Sequence, residues 1–193
     1  IRQLFWGRFM THPSLQPAFA HHAPHPLRAA LIRATRAMPD AWLGRRVAYL
    51  LRNLAMRWVG KRPLDVPLFG LRLRLYGFDN IAEKRLLYVP QYFDPEERGL
   101  IAEALPQDGV FLDIGANVGG YALYAAARMG PQGQVIAVEP QGRLCERLRF
   151  NAQENGLAHL RVVQVALSDR DGEATLYTYR HNSGEASLRQ GVD

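Results

Sequence analysis

A single cysteine, Cys145, is all the thiol chemistry that 193 residues offer. An internal disulfide is therefore excluded, and a reducing compartment, with the cytoplasm as the default, is the expectation. Long apolar runs are missing as well. No stretch reaches the roughly 18 apolar residues of a membrane span, and the first residues, with Arg2 and Arg8, lack the apolar core and cleavage site of a signal peptide. Lysine is scarce, at two of 24 basic residues, so arginine reflects compositional bias as well as use. Acids are scarce in the first half only: residues 1–90 carry fifteen Lys and Arg against four Asp and Glu, and residues 91–193 nine against fourteen, which gives +11 and −5. That asymmetry either turns the first half toward something anionic, a lipid surface, a polymer or an acidic partner, or solvates a helical surface. What is present, 48% apolar residues, suffices for one sizeable core with a small accessory segment.

Residues 11–26, THPSLQPAFAHHAPHP, hold four prolines and four histidines. Such a composition favours neither regular helix nor core, so residues 1–26 are expected to be a flexible segment. His21, His22 and His25 lack the rigid frame that a specific metal site needs. From Leu27 a helical pattern runs to a break near Pro39 and resumes as DAWLGRRVAYLLRNLAMRWVG, with Asp40 as N-cap and Gly60 as the C′ stop. Leu43, Val47, Leu50, Leu51, Leu54 and Trp58 share one face, with Arg45 and Arg52 nearly opposite. A basic amphipathic helix with Trp42 and Trp58 near its ends suits a membrane surface. The commoner outcome, and the expectation for residues 27–65, is packing on their own domain through Leu43, Val47, Leu50 and Leu54.

From residue 66 the period changes. LFGLRLRLYGF alternates Leu71, Leu73 and Leu75 with Arg72, Arg74 and Tyr76, as a half-buried strand does, and RLLYVP reads as its antiparallel partner. Pro95 opens a helix over 96–105. Strand 110–114, helix 119–129, strand 134–138, helix 141–155 and strand 161–166 follow. This alternation predicts right-handed crossovers and a parallel sheet, an α/β Rossmann-like fold, and no internal repeat is visible.

The chemistry gathers in VFLDIGANVGGYALYAAARMG. Asp113, Gly115 and Gly119 stand where a strand meets a helix, and open parallel sheets bind ligands beyond the carboxyl ends of their strands. Gly115 allows a tight turn and close ligand approach; Gly119 allows the helix to pack near the strand. The next strand ends in Glu139, where an acid can accept hydrogen bonds from both hydroxyls of a ribose. A dinucleotide loop would carry a glycine where Asn117 stands. Asp113 beside a pyrophosphate would cost on the order of several kcal/mol, and no G-K-[ST] follows for a P-loop. S-adenosyl-L-methionine reverses the sign, because its ammonium and sulfonium are cationic.

These residues resemble a known family. FLDIGANVGGYALYAA, VIAVEPQGRLCERLRFNAQENGL and VQVALSDRDGEATLY are similar to FkbM-type methyltransferases over residues 66–190. The resemblance implies a class I methyltransferase sheet and S-adenosyl-L-methionine-dependent methylation of a hydroxyl oxygen on a sugar, glycan or natural product. It assigns Asp113, Gly115, Ala116, Asn117 and Gly119 to the methionine-side loop, Glu139 to the ribose, and Ala166 and Leu167 to the flanks of adenine. Asn151 and Asn155 match the family's asparagines and read as structural hydrogen-bonders near a helix end. His181, in HNSGEASL, is a candidate base, although histidines in loops are more often solvated. No metal is required, no nucleic-acid partner is expected, and the oligomeric state is open. The family's fourth strand with its acidic end is missing, so residues 66–193 read as the N-terminal portion of a methyltransferase domain. The competing readings are a nicotinamide-dinucleotide oxidoreductase, disfavoured by Asn117 and Asp113, and a non-catalytic module docking on a membrane or partner through its basic first half.

Overall fold

Two arginine-rich helices lead into the sheets of the computed structural model, which describes residues 16–59, 62–169, 172, 175–179 and 182–187. α1 (Pro26–Arg36) starts on Pro26, whose fixed φ suits a first helical turn. α2 (Trp42–Val59) follows the break at Pro39. Asp40 precedes this helix and pairs with the Arg45 side chain rather than capping it. Gly60 lies outside the described residues.

The packing face of α2 differs from the expectation. At about 100° per residue, Gly44, Ala48 and Ala55 fall within one ~40° arc, and Leu43, Leu50 and Leu54 within another, about 120° away. The small residues are buried, and α2 lies along α1, whereas Leu43, Leu50 and Leu54 are 64%, 69% and 44% exposed. Hydrophobicity would send the leucines inward; the buried face instead carries residues without bulk, and a Cβ on Gly44 would meet the Pro39 carbonyl oxygen at 2.2 Å.

β1 (Leu64–Leu68) and β2 (Leu71–Leu75) form an antiparallel hairpin, so the partner of β2 precedes it. RLLYVP is instead part of α3 (Ile81–Tyr88) and the turn after it. Asn80 caps this helix, its Oδ1 accepting the Glu83 N–H at 3.0 Å, which fixes helix over strand. Leu71, Leu73 and Leu75 are buried as the alternation requires. Arg74, expected on the wet face, is buried too, because the register sets it opposite Asp65. Its guanidinium meets that carboxylate at 2.7 and 2.9 Å and donates to the Pro17 and Ala18 carbonyls at 2.7 and 2.9 Å. His22 and Asp65 add two more hydrogen bonds. Residues 17–22, expected to be flexible, are thereby tied to the hairpin.

After α4 (Pro95–Ala104), β3 (Val110–Ile114), α5 (Gly120–Ala126), β4 (Gln134–Val138), α6 (Gly142–Glu154) and β5 (Leu160–Val163) build a three-stranded parallel sheet in the order β3-β4-β5. The expected α/β Rossmann-like arrangement is present, with α5 and the third strand shorter than anticipated. α5 and α6 pack on the sheet, where Val135 and Ala137 are fully buried. Val110, Leu112 and Ile114 point to the opposite face and are 65%, 54% and 60% exposed. A last hairpin pairs β6 (Tyr177–Tyr179) with β7 (Asn182–Ser187); His181 lies outside the described residues.

α6 binds the first hairpin through two asparagines. Asn151 accepts the Arg74 N–H at 2.7 Å and donates to the Arg74 carbonyl at 3.2 Å. Asn155 does the same for Arg72, both at 2.8 Å. Four residues of helix rise about 6 Å and two of strand about 6.7 Å, so i, i+4 on α6 matches i, i+2 on β2. Among the described residues no helix is long and apolar enough to cross a membrane.

Candidate functional site

The carboxyl end of the parallel sheet is organised by a loop that turns three times through the left-handed region. Gly115, Asn117 and Gly119 have φ of 76°, 51° and 82°. The N–H groups of Gly115 and Ala116 both donate to the Val138 carbonyl at 2.9 Å, which pins the loop to the end of β4. The two glycines serve different ends. A Cβ on Gly119 would meet Leu148 Cδ1 of α6 at 2.2 Å, so its close contact is with a helix rather than with a strand. A Cβ on Gly115 would meet nothing within 4 Å. The position over Gly115 faces open space.

Two carboxylates lie beside this loop, at the ends of β3 and β4. Asp113 Oδ2 accepts the Ala122 N–H in the first turn of α5 at 3.0 Å, which supplies the cap that Gly119 cannot. Burial raises its pKa above the usual carboxylate value, the Ala122 N–H opposes the rise, and the Glu139 charge adds to it. Glu139, 5% exposed, accepts the Asn117 N–H on Oε2 and the Gln141 N–H on Oε1, both at 2.9 Å. Each carboxylate oxygen retains a lone pair, so these bonds orient Glu139 without exhausting it. Three separate sets of hydrogen bonds hold these residues at the end of the sheet: Gly115, Ala116 and Gly119 through the Val138 and Ala116 carbonyls, Asn117 through Glu139, and Asp113 through Ala122. Ala166 and Leu167 stand beyond the end of β5, exposed.

Sequence reasoning passed over the layer behind this loop. Asn117 Oδ1 accepts a hydrogen bond from Asn80 Nδ2 at 2.8 Å, so the residue that caps α3 also holds the strained position of the loop. Next to Asn80, Asp79 takes both Arg147 Nη groups at 3.1 and 2.9 Å. Arg147 also pairs with Glu83 and lies over the Tyr76 ring at 3.9 Å. Glu83 is fully buried, and burial pushes its pKa up to about 7 despite Arg147. The Asn80–Glu83 spacing was the available signal: it is a helix-start pattern.

A second missed group lies at the start of α5. Asp94, with φ of 41°, accepts the Tyr121 hydroxyl at 2.8 Å and Arg85 Nη2 at 2.9 Å. Burial and the Asp94 carboxylate push the Tyr121 hydroxyl up to about 12. Asp94 itself stays below the usual range, because those two donors outweigh its partial burial.

A family model described as the Vibrio cholerae RfbT protein matches residues 72–190, from β2 to the last hairpin. A segment of 89 residues, 46% of this chain, is 40% identical to the AMB antimetabolite synthetase AmbE of Pseudomonas aeruginosa, of which it spans 4%. Among solved structures, an S-adenosyl-L-methionine-dependent methyltransferase from Aquifex aeolicus is 27% identical over 38% of this chain and 39% of its own, with a TM-score of 0.34. The precorrin-6y C5,15-methyltransferase of Geobacter metallireducens is 25% identical over 36% and 38%, with a TM-score of 0.32. The chain thus spans well under half the length of these proteins.

Proposed function

This chain belongs to the Vibrio cholerae RfbT protein family, and from that premise we propose that it is an S-adenosyl-L-methionine-dependent methyltransferase acting on a hydroxyl oxygen of a sugar, glycan or natural product. One observation carries the choice of cofactor: two carboxylates, Asp113 and Glu139, lie beside the loop of residues 114–119, which holds no lysine or arginine and whose Gly115 faces open space. That field attracts a cation and repels a pyrophosphate, which speaks against the nicotinamide-dinucleotide reading.

Asp113 faces the ammonium end of the cofactor. Gly115, Ala116, Asn117 and Gly119 shape the backbone around it, and the remaining lone pairs of Glu139 take the ribose hydroxyls. Ala166 and Leu167 flank the adenine. When bound, the cofactor supplies the electrophilic methyl group. The work left to the chain is to hold that group in line with an acceptor oxygen and to exclude water. The hydroxyl acceptor rests on the FkbM-type resemblance of the motifs around Asp113 and Glu139.

Isothermal titration with S-adenosylhomocysteine and with NAD tests the cofactor. Binding of the former, weakened by about 1–3 kcal/mol in a folded Glu139→Ala variant, is expected. Binding of NAD alone would sink the methyltransferase reading.

A further inference from the structure

We propose that α2 is a docking ridge for an anionic membrane surface. Leu43, Leu50 and Leu54 form an exposed apolar line on a helix that lies along α1 and buries Gly44, Ala48 and Ala55 on another flank, Gly44 against Pro39. At about 100° per residue, Arg46 and Arg57 border that line on the side away from α1. Trp42, 69% exposed, stands in the first turn of α2 on the arginine side of that line, with the Arg46 guanidinium 4.5 Å from its ring. No Asp or Glu occurs in α1 or α2, and Asp40 between them pairs with Arg45.

Charge chooses among the occupants. A second copy docking through this ridge would bring the same arginines against these. Residues 1–15 of the chain carry Arg2 and Arg8 and no acid, so they too would add like charge. A nucleic acid offers phosphates to the arginines but nothing to three leucines. A bilayer with acidic headgroups meets both, with guanidiniums at the phosphates, leucines at the acyl boundary and an indole between them. This role is independent of methyl transfer, since the ridge lies outside the residues matched by the family model.

The test is co-sedimentation of the full chain with vesicles of phosphatidylcholine alone and with about one third phosphatidylglycerol. Binding to the anionic vesicles alone is expected. It should fall at least ~10-fold as salt rises from 0.01 to 0.15 M, over which the Debye length shrinks from about 30 to about 8 Å. The triple variant Leu43→Ser, Leu50→Ser, Leu54→Ser should lose at least ~10-fold in binding with an unchanged melting temperature, because these side chains gain little from folding. The blue shift of tryptophan emission on vesicles should be largely absent in Trp42→Phe. Failure to bind anionic vesicles, or binding that survives the triple variant, overturns the proposal. So does a dimer in solution that the triple variant dissociates, or equal capture by a nucleic acid of both proteins.

Discussion

Replacing Gly115 and Gly119 by alanine in turn separates two reasons for a glycine. Both sit at φ near +80°, where an L-residue costs roughly 1–2 kcal/mol, and both variants stiffen the unfolded chain equally, so these contributions cancel in the comparison. What differs is the neighbour. The new methyl at 119 would stand 2.2 Å from Leu148 Cδ1, and also near Cδ2 and Cγ at 3.1 and 3.2 Å, so a fully buried leucine must leave its rotamer. Overpacking of that kind adds about 1–3 kcal/mol. Gly119→Ala should therefore destabilise by about 2–5 kcal/mol and Gly115→Ala by about 1–2. With an m-value near 2 kcal/mol/M, a gap of about 2 kcal/mol is about 1 M in urea midpoint. Leu148→Ala combined with Gly119→Ala should cost less than the sum of the two, by at least about 1 kcal/mol, because the cavity of one admits the methyl of the other. S-adenosylhomocysteine titration should show the reverse order, with Gly115→Ala the more damaging to binding. Equal urea midpoints for the two single variants, or full binding by Gly115→Ala, would refute the division of labour.

Two further predictions rest on buried charge. Arg147→Met should destabilise by about 3–5 kcal/mol, since it leaves the buried Glu83 without its counter-charge while Asp79 keeps only the exposed Arg143, whereas Glu83→Gln should be far milder because Arg147 retains Asp79; urea melts of both decide. Because Asp113 titrates above the usual carboxylate range and a cationic ligand favours its ionised form, cofactor affinity should fall as pH drops through that raised value and stay level above it. Without ligand the sign reverses. The folded state holds the Asp113 proton more tightly than the unfolded chain does, so this group makes the fold more stable as pH falls. Titrations across pH should show the slope, and Asp113→Asn should flatten it.

How much of this was legible depended on how local the deciding interaction is. The βαβαβ run from Val110 to Val163 could be read because strand period, helix period and glycine-rich turn each leave their mark within a few residues. The failures came where a distant partner decides. Arg74 looks like a solvent-facing arginine until Asp65, nine positions back, is set across from it. The leucines of α2 suggest its packing face, but the face it buries carries Gly44, Ala48 and Ala55, which have almost no hydrophobic signal. The apolar run of RLLYVP suits a strand or a helix, and the Asn80 cap decides for the helix. Within the candidate site, Asp113, Gly115 and Glu139 are the proposed ligands that spacing alone suggests. Asn80 is not among them, since its tie to Asn117 joins residues 37 apart.

The asparagine pair on α6 bears on more than the joining of two units. A two-stranded ribbon has an outer edge whose unpaired N–H and C=O groups invite a strand from another molecule. On β2 those groups belong to Arg72 and Arg74, and Asn155 and Asn151 occupy all four. Among the described residues, side-chain amides on a helix stand in for a neighbouring strand on that edge. Losing either asparagine would therefore uncover a sticky edge as well as loosen a joint, and the expected symptom is intermolecular pairing, with aggregation setting in at temperatures where the fold itself still survives.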